Sequence, residues 1–262
     1  MEWGMKNRMA RMIKPDTGRI VMLAVDHGYF QGPTTGLRDL KSTIDPLLPY
    51  ADTLMITRGM LRICVDPDSD VPIMLRVSGG NSILTELSNE GLTCDIEDAI
   101  RLNVCGITLS IFVGTPGEHQ TLINLGKLAD WGNKYGIPVM TVTAVGREMA
   151  RDARYLGLCC RMAVEIGSHM VKTYYCENFS KIIAATPVPV VIAGGKKMPE
   201  KDALEMAANA VGDGAAGVDM GRNVFQSDSP VAMIKAVRAV VHKNLPAGQA
   251  YEMYQDLKAS EK

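Results

Sequence analysis

A lysine stands in the middle of the apolar run "SHMVKTYY" at 168–175. Period-two alternation puts Met170, Lys172 and Tyr174 on one face of that run and Val171, Thr173 and Tyr175 on the other. An ammonium set where water is scarce is costly unless it has a partner or a task. Desolvation and a neighbouring cation such as Arg222 or Lys196 would favour the free amine, which attacks a ketone to form an iminium, the electron sink for carbon–carbon cleavage. The competing reading is structural, a lysine neutralised by a strand carboxylate such as Asp26. Asp26 and His27 close another apolar run, "RIVMLAVDHG" at 19–28. Asp26 is the first candidate for general acid and base during carbinolamine formation and bond cleavage. His27 shares that task, touches the substrate, or is simply hydrogen-bonded in a turn.

Two glycine-bearing ends point to an anion. "AGGKK" supplies Gly194 and Gly195, and "DMGRN" supplies Gly221 and Arg222. Glycine lets backbone N–H groups approach phosphate oxygens, and a guanidinium binds them in a bidentate manner. Tight turns alone would also use such glycines. The expected substrate is a small phosphorylated keto compound. Further polar strand ends are Arg58-Gly59, Ser78-Gly79 and Asp219, and Tyr29, Tyr174 and Tyr175 are candidates for lining the pocket or for packing. His119, His169 and His242 lack metal-ligand spacing, and Cys64, Cys94, Cys105, Cys159, Cys160 and Cys176 form no C-x-x-C pair. No metal site and no bound cofactor are expected, and the thiols are read as reduced and structural.

These residues need a scaffold that gathers strand ends. Eight apolar runs, at 19–28, 53–59, 71–79, 107–114, 137–146, 168–175, 188–195 and 215–225, are near-continuous, as strands buried on both faces are. Helical periodicity fills most gaps, from Glu118 to Gly136, Arg147 to Gly167, Lys201 to Gly214 and Ser229 to His242, the last opening on Ser229 as N-cap and Pro230 as first helical residue. The second and third units are weak, because "RGMLRICVDPDSD" is short for a crossover helix and residues 79–93 form a long insertion. The pattern predicts an α/β fold, a single (β/α)₈ TIM barrel over residues 1–262, with a short N-terminal segment at 1–18 and a C-terminal helical tail at 243–262. In such a barrel, the C-terminal strand ends surround the active site. A doubly wound open sheet is the alternative, but no G-x-G-x-x-G follows the first strand.

Composition agrees with a small-molecule enzyme. In 262 residues, 28 basic and 29 acidic side chains leave a net charge of −1, which gives no field to attract nucleic acid or an anionic membrane. Neither a signal-like apolar run at the start nor a membrane-length apolar stretch is present, so a cytoplasmic protein is expected.

The strings "VMLAVDHGYFQGPTTGL", "GGNSILTELSNE", "VKTYYCENF", "VIAGGKK" and "GVDMGRNVFQSDSPVAMIKAVRAVVH" resemble the archaeal-type class I aldolase family, in its thiolase branch, over nearly the whole chain. The resemblance implies a barrel assembled as a homo-oligomer, a decamer, that moves an acetyl group from a phosphorylated pentanedione derived from autoinducer-2 to coenzyme A. It places the Schiff-base lysine at Lys172, the acid/base at Asp26 with His27 beside it, and the phosphate loops at Gly194-Gly195 and Gly221-Arg222. Coenzyme A as co-substrate comes from the resemblance alone. Fructose-bisphosphate aldolases of the wider family carry a Tyr-Pro-Arg-Gly-like run after the fifth strand, where this chain reads "TVTAVGRE" at 141–148. The missing tyrosine favours the thiolase branch. A Schiff-base aldolase acting on a ketose phosphate such as fructose 1,6-bisphosphate, with Asp26 or Tyr174 as proton donor, is the alternative. A silent barrel that binds a phosphorylated signal is the third reading.

Overall fold

In the computed structural model of this protein, which describes residues 1–144 and 150–261, the apolar runs become eight parallel strands. They are β1 (Ile20–Ala24), β2 (Thr53–Thr57), β3 (Ile73–Arg76), β4 (Gly106–Ile111), β5 (Val139–Thr143), β6 (Met170–Thr173), β7 (Val190–Ala193) and β8 (Gly217–Met220). Each strand pairs with the next in the chain and β8 returns to β1, with Met22 set against Asp219 on one side and Thr53 on the other. The closed ring replaces the open-sheet alternative and leaves no free strand edge.

Alternation along the strands separates two cores. Val21, Leu23, Leu54, Ile56, Leu75, Val171 and Ile192 face outward and pack under the helices. Met22, Met55, Met74, Met140, Met170 and Val191 face inward. The thioethers, unbranched and adaptable, fill the irregular interior of the ring below its mouth. Met12, from the helix Trp3–Met12, joins that inner cluster fully buried, so the N-terminal segment plugs the barrel's lower end.

The helices begin and stop where local chemistry dictates. Glu118–Tyr135 ends on Gly136 at φ 66°, and Ala153–Ile166 ends on Gly167 at φ 112°, left-handed positions that favour glycine. The second of these starts at Ala153, where the Asp152 side chain accepts from the Tyr155 N–H and caps it, and the expected opening at 147–149 lies outside the described residues. Ser229 holds the N-cap position before Pro230, but its hydroxyl donates to Glu261, which follows the last helix, Ala247–Ser260, rather than capping. The short crossovers are short indeed: Arg58–Cys64 after β2 and Ile96–Arg101 before β4. The insertion after β3 folds back as a two-residue antiparallel pairing of Ser78–Gly79 with Gly91–Leu92. All six cysteines are free, five of them buried. Among the described residues no helix is long and apolar enough to cross a membrane.

Candidate active site

At the C-terminal mouth of the barrel lies a cavity of about 150 Å³. Lys172, Asp26, His27, Gly194, Gly195, Gly221 and Arg222 all stand on its wall, so the seven residues singled out in the sequence meet in one place. Lys172 points inward from β6, 9% exposed, with its Nζ 3.9 Å from the Met55 sulfur. Its charged partner differs from the one expected. Asp219 of β8, 1% exposed, lies 2.8 Å from the Lys172 Nζ, whereas Asp26 is held 3.1 Å from the Arg76 Nε. Burial, which disfavours the anion, raises the Asp219 pKa to about 6, with the Lys172 ammonium opposing and Asp26 reinforcing the rise. A carboxyl so poised can take a proton from the lysine and return it near neutral pH.

Arg76 was missed by the sequence reading, although the signal was the same as for Lys172: a cation inside an apolar run, "VPIMLRVSG". From β3 it forms an ion pair with Asp26 and donates to the Ser110 hydroxyl at 2.9 Å and the Tyr29 hydroxyl at 3.2 Å. Despite the opposing effect of burial, Tyr29, Glu90 and the two aspartates hold its pKa above the ordinary arginine value. Tyr29 in turn donates to Glu90, which also accepts from Ser78 at 2.6 Å. The Ser78–Gly79 strand end thus belongs to the network that fixes Asp26. The expectation for Arg58 is corrected: it opens the helix after β2 and pairs with Asp98 at 3.3 Å, away from the cavity. Lys196 is exposed and off the cavity wall.

His27 stacks on Phe225, with ring centroids 5.8 Å apart and planes within 8°. Burial lowers its pKa; Asp26 opposes this while Arg222 and Lys172 add to it. Its Nε2 is buried with no hydrogen-bond partner among the described residues. Tyr174 lines the cavity and Tyr175 turns outward to donate to Asp213 at 3.2 Å.

The loops after β7 and β8 are tied together by Asn223, fully buried, whose Nδ2 donates to the Gly194 carbonyl at 2.6 Å and whose Oδ1 accepts from the Met198 N–H at 2.9 Å. Nothing in the sequence marked that residue, since an asparagine near a glycine at a strand end reads as an ordinary turn. Gly195 adopts φ 69°, and a Cβ on Gly221 would lie 2.1 Å from the Ala24 carbonyl oxygen, so both positions require glycine. Arg222 opens the short helix Arg222–Phe225 and makes no ion pair among the described residues. Burial lowers its pKa, with Tyr174 opposing. Barrels commonly hold phosphate at these two loops. The valine-glycine run Val145-Gly146 lies outside the described residues. Among the described residues no group of three His, Cys, Asp or Glu side chains could hold a metal.

A 3-hydroxy-5-phosphonooxypentane-2,4-dione thiolase of Photorhabdus laumondii subsp. laumondii is 55% identical over 97% of this chain and 88% of the relative. One of that name from Enterobacter sp. (strain 638) is 55% identical over 100% and 89%. Among solved structures, an archaeal fructose 1,6-bisphosphate aldolase matches with TM-score 0.81 at 24% identity, over 91% of this chain and 99% of that one. A fructose-bisphosphate aldolase from Slackia heliotrinireducens matches with TM-score 0.86 at 17% identity, over 97% and 90%. At these identities the structural likeness speaks for the barrel alone. The model of the DeoC/LacD family aldolases matches residues 20–227, from the start of β1 to beyond the Gly221-Arg222 end, and the chain belongs to that family.

Proposed function

We propose that this chain cleaves 3-hydroxy-5-phosphonooxypentane-2,4-dione with coenzyme A, giving acetyl-CoA and dihydroxyacetone phosphate, in the degradation of phosphorylated autoinducer-2. The observation that carries the reading is the placing of a buried amine, Lys172, and both glycine-bearing ends on the wall of one cavity. The C5 phosphate rests on the Gly194-Gly195 loop through the Gly195 amide, on the Gly221 amide and on Arg222, which sets the C4 ketone beside Lys172. The amine adds to C4 and water leaves, with Asp219 taking and returning the proton and Asp26 serving the carbinolamine. The coenzyme A thiolate then adds to C2, and the C2–C3 bond breaks. Its electron pair moves into the iminium as an enamine, and the acetyl group departs on sulfur. Protonation of C3 and hydrolysis of the iminium release dihydroxyacetone phosphate and the free lysine. His27 offers its unpartnered Nε2 to the C3 hydroxyl. A second route uses the same cleavage without the covalent bond, the C4 carbonyl taking the electrons as an enolate beside the Lys172 ammonium.

The reaction uses coenzyme A as co-substrate and no bound cofactor or metal. It takes place in the cytoplasm in a homo-oligomer, a decamer by the resemblance of the sequence. Acetyl-CoA release from the dione only when coenzyme A is supplied supports the thiolase. Triose phosphate from fructose 1,6-bisphosphate supports the aldolase instead. Borohydride reduction with dihydroxyacetone phosphate marks Lys172 if the iminium route operates, and acetyl-CoA formation without that mark assigns the enolate route.

A further inference from the structure

We propose that the pantetheine arm of coenzyme A enters through a second cleft, between the C-terminal ends of β1 and β2, and delivers its thiol past Asp26. The proposal rests on the thiolase reading above and names the site of its acyl acceptor. The cleft has a volume of about 420 Å³, and its wall is chiefly apolar, formed by Val25, Leu37, Leu40, Met60 and Ile63. Asp26 stands on the wall of this cleft and of the catalytic cavity alike. Its other inner residue, Thr57, continues the inward register of Thr53 and Met55 on β2, as Asp26 continues that of Met22 and Ala24 on β1. The cleft therefore borders the catalytic cavity at Asp26 rather than lying on a remote surface.

Size and polarity favour this occupant. The catalytic cavity, at about 150 Å³, is smaller than the ~300 Å³ typical of sites for drug-sized ligands, so beside a phosphorylated ketone it has no room for a long arm. The cleft lies within the range for such ligands, and a narrow, mostly apolar chain with two amides suits it. Its rim carries Ile63, 75% exposed, a large apolar side chain that an arm would cover. Arg38 follows the wall residue Leu37, is exposed and makes no ion pair among the described residues, so a cation is at hand for the phosphates at the far end.

Gly59 gives the test. It lines the cleft, sits in a helix at an ordinary φ, and a Cβ there meets nothing within 4 Å, so Gly59→Trp fills the space without displacing the core. The KM for coenzyme A should rise about tenfold or more, while turnover with N-acetylcysteamine, a short thiol, stays within about twofold. Borohydride labelling of Lys172 with dihydroxyacetone phosphate serves as the readout of an intact catalytic cavity. Ile63→Asp, at an exposed position that folding does not depend on, should raise the same KM by roughly three- to tenfold. An unchanged KM for coenzyme A in both variants overturns the cleft, as does an equal loss with the short thiol. Absence of acetyl-CoA formation by the wild type would instead overturn the thiolase reading and the cleft with it.

Discussion

Replacing Asp219 with asparagine removes a carboxyl whose affinity for a proton the fold increases. Burial outweighs the attraction of Lys172, and the pKa moves from 3.8 to about 6. At 1.36 kcal/mol per factor of ten, that rise is worth about 3 kcal/mol. The folded value is the higher one, so this stabilisation is fully present below the unfolded pKa of 3.8 and is lost as pH climbs through about 6. Other carboxyls run the opposite way: against burial, hydrogen bonds from His242 and Arg238 hold Asp52 below its ordinary value. The wild-type curve alone therefore mixes both signs. The difference between wild type and Asp219→Asn isolates the one group. Urea unfolding at fixed protein concentration, from about pH 4 to about pH 7.5, should show wild-type stability relative to the variant falling by about 2.5 kcal/mol, most of it below pH ~6. A difference that stays flat or grows with pH would mean that the 2.8 Å pairing with Lys172 outweighs burial, and the assignment of Asp219 as a proton carrier would fall. In the same variant, turnover should drop by roughly a hundredfold or more, the scale of a lost acid/base group.

Lys172→Ala should abolish both acetyl-CoA formation and borohydride labelling, and near-normal turnover would remove the lysine from the mechanism. It should also lower stability by roughly 3 kcal/mol in denaturant titration, because Asp219 is left buried without its cation. Arg222→Met should raise the KM for the phosphorylated dione by about tenfold or more and leave the KM for the unphosphorylated dione nearly unchanged, since only the phosphate uses the guanidinium. Gly221→Ala drives a methyl to 2.1 Å from the Ala24 carbonyl oxygen, so strand or loop must shift. A fall of about 1–3 kcal/mol and a higher KM for the phosphorylated substrate are the expected readouts.

The barrel was legible because its strands are buried on both faces, which leaves unbroken apolar runs whose count and spacing survive in one dimension. The inner and outer faces of β6 were legible for the same reason: alternation alone put Lys172 with Met170, and Met170 lies in the inner core. What alternation cannot supply is which charges meet across the ring. Asp219 and Asp26 sit on neighbouring strands, and only three-dimensional closure brings Lys172 from β6 to the first and Arg76 from β3 to the second. Arg58 misled because strand and helix abut without a loop there. Its side chain begins the helix and swings outward to Asp98. Asn223 was illegible because its task is to satisfy two backbone groups, a job any turn asparagine could have.

The buried charges at the mouth explain the division of labour among its residues. Lys172, Arg76, Asp26 and Asp219 are each less than a tenth exposed, and two cations offset two anions. Any one of them alone would cost several kcal/mol, so the set is stable only as pairs. A neutral quartet has little net attraction to spare for a phosphate dianion. The substrate's charge must then be met elsewhere, by groups not already neutralised. Arg222, which makes no ion pair among the described residues, and the amides of Gly195 and Gly221 are such groups, at the ends of β7 and β8 on the wall of the same cavity. In the proposed reaction, binding through those loops leaves the Lys172–Asp219 pair free to exchange its proton with the ketone. An anion seated directly on Lys172 would hold the amine as ammonium and stop the first step.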